Sequence, residues 1–398
     1  MNREDFDILS TGIIYLDNAA TTQKPRSVVS EIVDYYTKYT ANAHRGDYDI
    51  NLKVDEKYDG VREKVRDFIN AETSKEIIFT KGSTESFNMI IFGFMANYLK
   101  KEDRVLLTKG EHASNILPWL TLSKKIGFTI DYIDLEDDYS VSIEKVKEKI
   151  YENTKVISIA HISNSIGDLR PVKEIGEICK RNNILFVLDA TQSIGHLKVD
   201  VLDLNVDFLG FSAHKMLGPT GVGVLYGKLN LLEELVPIES GGGMNISFSS
   251  DGEYELKSLP NRLEAGTRNI AGVIGLGAAI DYLESVGLDR IHEYEMNLKR
   301  YLVERLSTVP NIKIYNKSLD TGVLLFNINN YFSQDVAIYL NKFNICIRAG
   351  NHCAKMLQEA ICDTNTCRIS LYFYNTKEEI DILVNALMNQ DKILDTVV

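Results

Sequence analysis

Lys215 follows an apolar segment, where a lysine amine can become a nucleophile. Residues 207–213 lead to it, and a Gly-Pro-Thr-Gly turn at 218–221 separates it from a second apolar run ending at 227. The connection is too short for a crossover helix, so the two runs are predicted to pair as an antiparallel hairpin. Burial there would lower the pKa of the amine and favour its neutral form, which Schiff-base formation requires. A solvated lysine in an ordinary turn is the alternative.

Residues 81–85, Lys-Gly-Ser-Thr-Glu, follow a predicted strand and begin a predicted helix. Free backbone N–H groups at a helix start, the hydroxyls of Ser83 and Thr84 and the small Gly82 suit the binding of a phosphate. The alternative is an ordinary N-cap, and on these five residues alone it is the better explanation.

Asp189 ends a strongly apolar predicted strand, at the sheet edge where ligands bind in α/β folds. A buried carboxylate needs a cationic partner, and a protonated pyridine nitrogen would serve. The alternative is an N-cap for the segment that follows. His112, which comes after the run at 104–108, could stack on such a ring, although an isolated histidine is more often an ordinary surface residue.

Cys353 lies in a glycine-containing loop after a predicted strand, with Arg348 and His352 nearby in sequence. Both neighbours are predicted to stabilise the thiolate, which is the reactive form of cysteine. Arg368, on the next predicted strand, could bind a substrate carboxylate with its planar guanidinium. The alternative for the cysteine is a buried, inert thiol.

These residues fall within a regular alternation of strands and helices. Many of the strands are apolar on both faces, which favours a parallel sheet covered on both sides. We predict an α/β large domain around a seven-stranded, mostly parallel sheet with one antiparallel strand, at residues 76–80, 104–108, 128–134, 155–163, 184–190, 207–213 and 221–227. Helices are predicted at 84–100, 114–126, 142–151 and 172–182.

The pattern changes near residue 268. Two long helical patterns, at 270–286 and 288–308, precede four short strands at 312–315, 322–328, 345–348 and 368–373 and a last helix at 377–390. The predicted division is an N-terminal segment (1–25) that packs on the small domain, a large domain (26–267), and a smaller α+β domain (268–398) that carries the cysteine loop.

Composition restricts the class of function. The net charge is −12 and no basic run occurs, so neither nucleic acid nor a membrane surface is an expected partner. No apolar stretch is long enough to span a bilayer. The five cysteines show no Cys-x-x-Cys pair or zinc-ligand spacing, so we expect reduced thiols, no metal and a cytoplasmic location.

Taken together, the motifs resemble those of a group II cysteine desulfurase, the SUF-system type, in the class V aminotransferase family. The resemblance extends over nearly the whole chain. It is carried by residues 15–21, 42–46, 111–112, 163–167, 189–193, 212–215, 241–244, 264–267, 348–350, 352–354 and 374–376. It implies the fold type I architecture of enzymes that use pyridoxal 5'-phosphate, and desulfuration of L-cysteine to L-alanine with a persulfide on Cys353. The sulfur would pass to an acceptor protein for iron–sulfur cluster assembly.

The same resemblance implies a role for each site residue. Lys215 would hold the cofactor covalently, Asp189 would face its ring nitrogen, and His112, a third catalytic residue, would stack on the ring. The ring hydroxyl and the phosphate would be bound by Asn164, Gln192, Ser83, Thr84, Ser212 and His214, with Thr267 added from the partner subunit of a homodimer. The substrate would be bound by Arg348, Arg368, Asn164 and His44.

Three residues depart from the family pattern near the cysteine. Asn351 replaces a usual histidine, and Lys355 and Met356 replace a Gln-Pro pair. The sulfur acceptor and the effect of these residues on sulfur transfer stay open. Selenocysteine lyase activity at the same site is an alternative function, and a catalytically inactive scaffold that binds sulfur carriers is a more remote one.

Overall fold

The computed structural model describes residues 2–317 and 320–394. Residue 1, residues 318–319 and residues 395–398 belong to the predicted N-terminal segment and small domain and lie outside the described residues. The strands in chain order are β1 Ile14–Tyr15, β2 Ile77–Thr80, β3 Arg104–Thr108, β4 Thr129–Ile133, β5 Thr154–Ala160, β6 Leu185–Asp189, β7 Phe208–Ser212, β8 Gly223–Gly227, β9 Asn245–Phe248, β10 Tyr254–Leu256, β11 Ile312–Ile314, β12 Val323–Ile328, β13 Ile345–Cys346, β14 Arg348–Gly350 and β15 Thr366–Ser370.

Helices cover both faces of the large sheet and one face of the small one. In chain order they are α1 Arg26–Lys38, α2 Asp49–Phe68, α3 Ser83–Asn88, α4 Ala96–Tyr98, α5 Leu117–Ile126, α6 Ile143–Glu148, α7 Val172–Asn182, α8 Leu229–Glu234, α9 Ile270–Val286, α10 Leu288–Leu306, α11 Ser333–Asn341, α12 Lys355–Ala360 and α13 Lys377–Met388. A π-helical stretch, Met89–Met95, joins α3 to α4, so residues 83–98 form one continuous helical segment.

The predicted seven-stranded sheet is confirmed. Its strand order is β2-β8-β7-β6-β5-β3-β4, and β8 is antiparallel to both of its neighbours while the other pairs are parallel. β7 and β8 form the predicted antiparallel hairpin, with Phe208 opposite Gly227 and Ser212 opposite Gly223. Because β5, β6, β7 and β8 are buried on both faces, their sequences read as continuous apolar runs.

The small sheet is antiparallel, in the order β11-β12-β15-β14. Its strands differ from the prediction in two places. The run at 345–348 divides, because β13 pairs with β1 of the N-terminal segment whereas β14 pairs with β15. The strand predicted at 368–373 begins at Thr366 and ends at Ser370, after which the chain leaves the sheet.

Helix α9 is almost entirely apolar because it is buried beneath α1 and α2. Within the described ranges no single helix has the length and hydropathy needed to cross a membrane. Helices α9 and α10, which are bent by 73° relative to each other, meet those criteria only as a pair. The predicted boundary at 267–268 falls just before α9, and the division into domains stays a prediction.

Candidate active site

The predicted site residues other than His44 and Thr267 meet around one cavity of about 210 Å³. One side of the cavity consists of residues that follow the carboxyl ends of the parallel strands, which is where α/β sheets bind ligands. The other side consists of four residues from β14, β15 and the loop between them. The cavity is lined by Ser83, Thr84, His112, Asn164, Asp189, Gln192, Ser212, His214, Lys215, Arg348, His352, Cys353 and Arg368, together with Ala19, Ala20, Ser114, Ala160, Ile162 and Thr191.

Lys215 lies in a short 3₁₀ turn directly after β7. The N-terminal segment fixes this turn, since Thr22 N and Oγ1 lie 3.0 and 3.1 Å from the carbonyl oxygen of His214, and Lys24 Nζ lies 3.0 Å from it. Burial, followed by the nearby Arg368 cation, lowers the pKa of Lys215 to about 8. A substantial fraction of the amine is therefore neutral near neutral pH, as a nucleophilic lysine requires.

Asp189 ends β6 with its carboxylate inside the cavity. Its Oδ1 accepts a hydrogen bond of 2.9 Å from the backbone N–H of Thr191, and burial raises its pKa. The charge of Lys215 acts in the opposite direction and lowers the pKa of this carboxyl, but Asp189 forms no ion pair with a described residue. A protonated ring nitrogen bound here would provide the missing positive charge, so Asp189 fits a pyridine cofactor.

The start of α3 provides hydroxyl and N–H groups. Gly82 has φ +152°, a conformation that side chains other than glycine rarely adopt, and a Cβ there would lie 3.3 Å from Ser212 Oγ. Ser212 Oγ accepts from Ser83 N at 2.8 Å and donates to Ser83 Oγ at 3.0 Å. These groups converge at the helix start and suit a phosphate. The motif alone was better explained as an N-cap, but no N-cap side chain satisfies this helix start.

His112 is a neutral histidine held by its own loop. Its Nδ1 accepts a hydrogen bond of 3.1 Å from Ser114 N, which leaves the proton on Nε2. Burial and the neighbouring Lys215 lower its pKa to about 4, and burial lowers the pKa of His214 to a similar value. Ser114 Oγ lies 2.8 Å from Thr84 Oγ1 and so links the His112 loop to the helix start. Ser114 was not predicted, because nothing in its sequence context separates it from other serines.

Asn164 and Gln192 both line the cavity beside Asp189. Asn164 Nδ2 donates to the carbonyl oxygen of His352 at 2.7 Å, while its buried Oδ1 has no hydrogen-bond partner within the described ranges. Gln192 Nε2 donates to the carbonyl oxygen of Ala19 at 2.9 Å. The unsatisfied oxygen of Asn164 indicates a missing donor, such as a ring hydroxyl of a bound cofactor.

Arg348 and Arg368 lie opposite each other on β14 and β15. Arg368 is buried, donates from Nη1 to the carbonyl oxygen of Asn164 at 2.7 Å, and pairs through Nη2 with Asp17 Oδ1 at 2.8 Å. Arg348 is exposed and makes no ion pair with a described residue. Asp17 was not assigned a role from the sequence, because 351 residues separate it from Arg368.

Cys353 is exposed at the mouth of the cavity, in a loop with unusual backbone geometry. His352 and Cys353 have φ values of +53° and +57°, and Asn351 Oδ1 caps the loop by accepting from Cys353 N at 3.3 Å. Ala113 N donates to the carbonyl oxygen of Cys353 at 2.8 Å, which ties the loop to the large domain. Positive φ costs free energy in residues other than glycine, and two consecutive residues in this conformation show that the surrounding structure holds the loop in place.

The expectation that His352 helps to stabilise a thiolate as a cation is wrong. The imidazole is buried and its Nε2 lies 2.9 Å from Thr366 Oγ1. Burial, followed by the charges of Arg368 and Arg348, lowers its pKa to about 3, so the ring is neutral at physiological pH. Arg348, the other residue of that expectation, lines the same cavity as the thiol.

A buried ion pair supports the floor of the cavity. Glu111 accepts from Thr108 Oγ1 at 2.7 Å, Asn115 Nδ2 at 2.9 Å and Ala160 N at 2.8 Å, and it pairs with the fully buried Arg170. Glu111 directly precedes His112, so this network fixes the loop that carries the imidazole. From the sequence, Glu111 could be recognised only as part of a motif, because its partners Ala160 and Arg170 are distant in the chain.

His44 and Thr267 are not brought to this cavity within one chain. They lie at or near a second cavity that is lined by Asn42, Ala43, His44, Arg45, Tyr58, Gly243, Lys257, Asn261, Glu264, Gly266, Arg268 and Ile270. Asn42 Nδ2 lies 3.3 Å from Thr267 Oγ1. The roles predicted for His44 and Thr267 stay predictions.

The comparisons with known proteins agree with this geometry. Residues 14–383 match the family model described as "Aminotransferase class-V". A probable cysteine desulfurase of Halalkalibacterium halodurans is 43% identical over 383 residues, which cover 96% of this chain and 94% of the relative. A cysteine desulfurase of Thermococcus onnurineus superposes with a TM-score of 0.94 at 37% identity, over 98% of this chain and 97% of that one. The cysteine desulfurase CsdA of Escherichia coli gives a TM-score of 0.91 at 32% identity, over 99% and 97% of the two chains.

Proposed function

The chain belongs to the class V aminotransferase family, and from this premise we propose that it is a cysteine desulfurase in which Lys215 holds the cofactor and Cys353 accepts the sulfur. The observation that carries the proposal is one cavity with three features. It contains a buried lysine with a pKa of about 8, a buried aspartate that lacks a cationic partner, and an exposed thiol on a loop from the opposite side.

Pyridoxal 5'-phosphate is the cofactor, and its bound ring supplies an electron sink when the Cα–H bond of the substrate breaks. Lys215 would hold the cofactor covalently, and its Nζ, once free, would take up the Cα proton of the substrate. Asp189 would supply the negative charge that favours a protonated ring nitrogen, and His112 would contact the ring. The phosphate and the ring hydroxyl would be bound by Ser83, Thr84, Ser212, His214, Asn164 and Gln192.

The two arginines bind the substrate carboxylate. Arg348 has no ion-pair partner within the described residues, so its guanidinium is available for a carboxylate. Arg368 has a buried Nε without a hydrogen-bond partner in the described part of the chain. A planar guanidinium suits a carboxylate because it offers parallel N–H donors. Cys353 lines the same cavity as both arginines, so a substrate bound by its carboxylate would share that cavity with the thiol.

Cys353 performs the sulfur transfer as a thiolate. Its Sγ attacks the sulfur of the substrate, a new S–S bond forms and the Cβ–S bond of the substrate breaks. The electron pair of the broken bond stays on Cβ, which takes up a proton and becomes the methyl group of L-alanine, while the proton held on Lys215 Nζ would return to Cα. The sulfur remains on Cys353 as a persulfide until an acceptor protein removes it.

Replacing the thiol tests this function. Cys353→Ser should retain the yellow colour of the bound cofactor and yet release no alanine from L-cysteine in the presence of a reductant. Cys362→Ser is the matched control, since Cys362 is also exposed but does not line the cavity, and it should keep full activity. Normal turnover by Cys353→Ser would show that the thiol takes no part in the mechanism. The same assay with L-selenocysteine would then test whether the protein is a selenocysteine lyase that does not need the thiol.

The protein is proposed to act as a homodimer in which each subunit completes the other's site. The position of His44 and Thr267 away from Lys215 of the same chain supports this arrangement, because both were predicted to serve the cofactor and substrate. Mixed dimers of Lys215→Ala and Thr267→Ala subunits should regain part of the activity, since one of the two sites then has both residues. Monomers in solution with full activity would refute it.

We further propose that the enzyme works in the cytoplasm and supplies sulfur for iron–sulfur clusters through the SUF system. The five free cysteines support a reducing compartment, because none of them forms a disulfide. Alanine release should therefore accelerate when a SUF-type acceptor protein is added. A rate that no acceptor of this type changes would count against the SUF assignment.

A further inference from the structure

The two cavity arginines differ in whether a carboxylate of the protein neutralises their charge. Arg348 and Arg368 are direct neighbours across the antiparallel β14–β15 pair, and both line the cavity. Like charges in this arrangement repel each other, so the pair needs negative charge nearby. Arg368 receives it from Asp17, whose Oδ1 lies 2.8 Å from Arg368 Nη2. Arg348 receives none from a carboxylate of residues 2–317 or 320–394.

Asp17 is held firmly in its position. It follows β1 and forms a parallel bridge with Ser370, two residues beyond Arg368. Ser370 N donates to the carbonyl oxygen of Leu16 at 2.8 Å, and Asn18 N donates to that of Ser370 at 3.4 Å. The side chain of Asp17 is 18% exposed and that of Arg368 is 2% exposed. Arg368 lines the cavity whereas Asp17 lies behind it, and the burial of this pair limits its screening by solvent.

We propose that Asp17 is a specificity-determining residue that limits this arginine pair to ligands with a single carboxylate. With Asp17 ionised, the three groups have a net charge of +1, which one carboxylate neutralises. A second carboxylate on the ligand, as in an aspartate-like amino acid, would find no further positive charge in the arginine pair and would be repelled by Asp17. The inference rests on the proposed role of Arg348 and Arg368 in carboxylate binding.

Two ligands without an amino group isolate this effect, because they cannot displace Lys215 from the cofactor. 3-Mercaptopropionate carries one carboxylate, and mercaptosuccinate is the same molecule with a second one. Their affinities for the holoenzyme are measured by calorimetry, in wild type and in Asp17→Asn. The asparagine keeps an oxygen that accepts from Arg368, so only the charge changes. If Asp17→Asn does not fold, Asp17→Ser is used in its place, because it removes the same charge.

The preference for mercaptosuccinate over 3-mercaptopropionate should rise about tenfold in Asp17→Asn, and the rise should shrink at high salt. Asp17→Glu, which restores the charge, should return the ratio to the wild-type value. Equal changes for both ligands would show that Asp17 only positions Arg368 and would overturn the inference.

Arg348→Met and Arg368→Met test the proposed carboxylate site separately from the role of Asp17. If neither weakens either ligand, the proposed carboxylate site itself is wrong. If both weaken the ligands while Asp17→Asn leaves the ratio unchanged, only the role of Asp17 fails.

Discussion

Capture of the cofactor by cofactor-free protein should depend on pH through Lys215. Burial, followed by the Arg368 cation, lowers the pKa of this lysine from 10.5 to about 8. At pH 7 a pKa of about 8 leaves roughly one amine in ten neutral, against about one in 3,000 for an ordinary lysine. Because only the neutral amine attacks an aldehyde, Lys215 should react roughly 300-fold faster than an exposed lysine at this pH.

The assay is stopped-flow absorbance after cofactor-free protein is mixed with pyridoxal 5'-phosphate between about pH 6 and pH 10. The rate should rise as pH increases, because deprotonation produces the reactive amine, and it should level off above about pH 8. Arg368→Met removes one cause of the lowered pKa, so the midpoint of the curve should move to higher pH. A wild-type rate that still rises steeply toward pH 10 would refute the role of burial at Lys215.

Three further outcomes follow from the same structure. Arg170→Met should lower the free energy of unfolding by about 3–5 kcal/mol in a urea titration, because it leaves the buried Glu111 carboxylate without its cation. Gly82→Ala should lower it by about 1–3 kcal/mol and weaken cofactor binding, because alanine is strained at φ +152°. The pH profile of kcat/KM should show no transition near pH 6.5, since burial lowers the pKa of each cavity histidine to about 3 or 4.

Each of these outcomes has a matched control. Lys173→Met breaks the exposed pair with Asp203 and should leave the free energy of unfolding nearly unchanged, so an equal loss in both variants would contradict the importance of burial. Gly60→Ala, in helix α2 with open space around the added Cβ, should be neutral or stabilising. A kinetic transition near pH 6.5 that disappears in His112→Gln would show that this imidazole titrates in the working range.

Most of the fold could be predicted because its strands have simple local patterns. β5 to β8 are buried on both faces, so their apolar runs and the short Gly-Pro-Thr-Gly turn identify the sheet and its one antiparallel hairpin. The hairpin β9–β10 was missed because its residues are largely exposed and show no apolar alternation. The division of the 345–348 strand was missed because it depends on pairing with β1, more than 300 residues earlier.

Site residues, like strands, could be predicted only where a local sequence pattern fixed their position. Residues at or shortly after the ends of parallel strands, such as Asp189 and His112, could be located from the sequence, because the carboxyl ends of those strands meet at one edge. The contact of Asp17 with Arg368 and that of Glu111 with Arg170 could not, because no local pattern relates their positions. The neutral state of His352 depends on burial in the folded chain, which the loop sequence does not reveal.

The most direct measurement is borohydride reduction of the holoenzyme followed by peptide mapping. Reduction makes the bond between lysine and cofactor permanent, so the labelled peptide identifies the amine that carried the cofactor. The label should lie on Lys215 alone and should vanish in Lys215→Ala. A label on Lys24, whose burial lowers its pKa to about 7 and whose Nζ lies beside the same turn, would contradict the account, as would a protein that binds no cofactor.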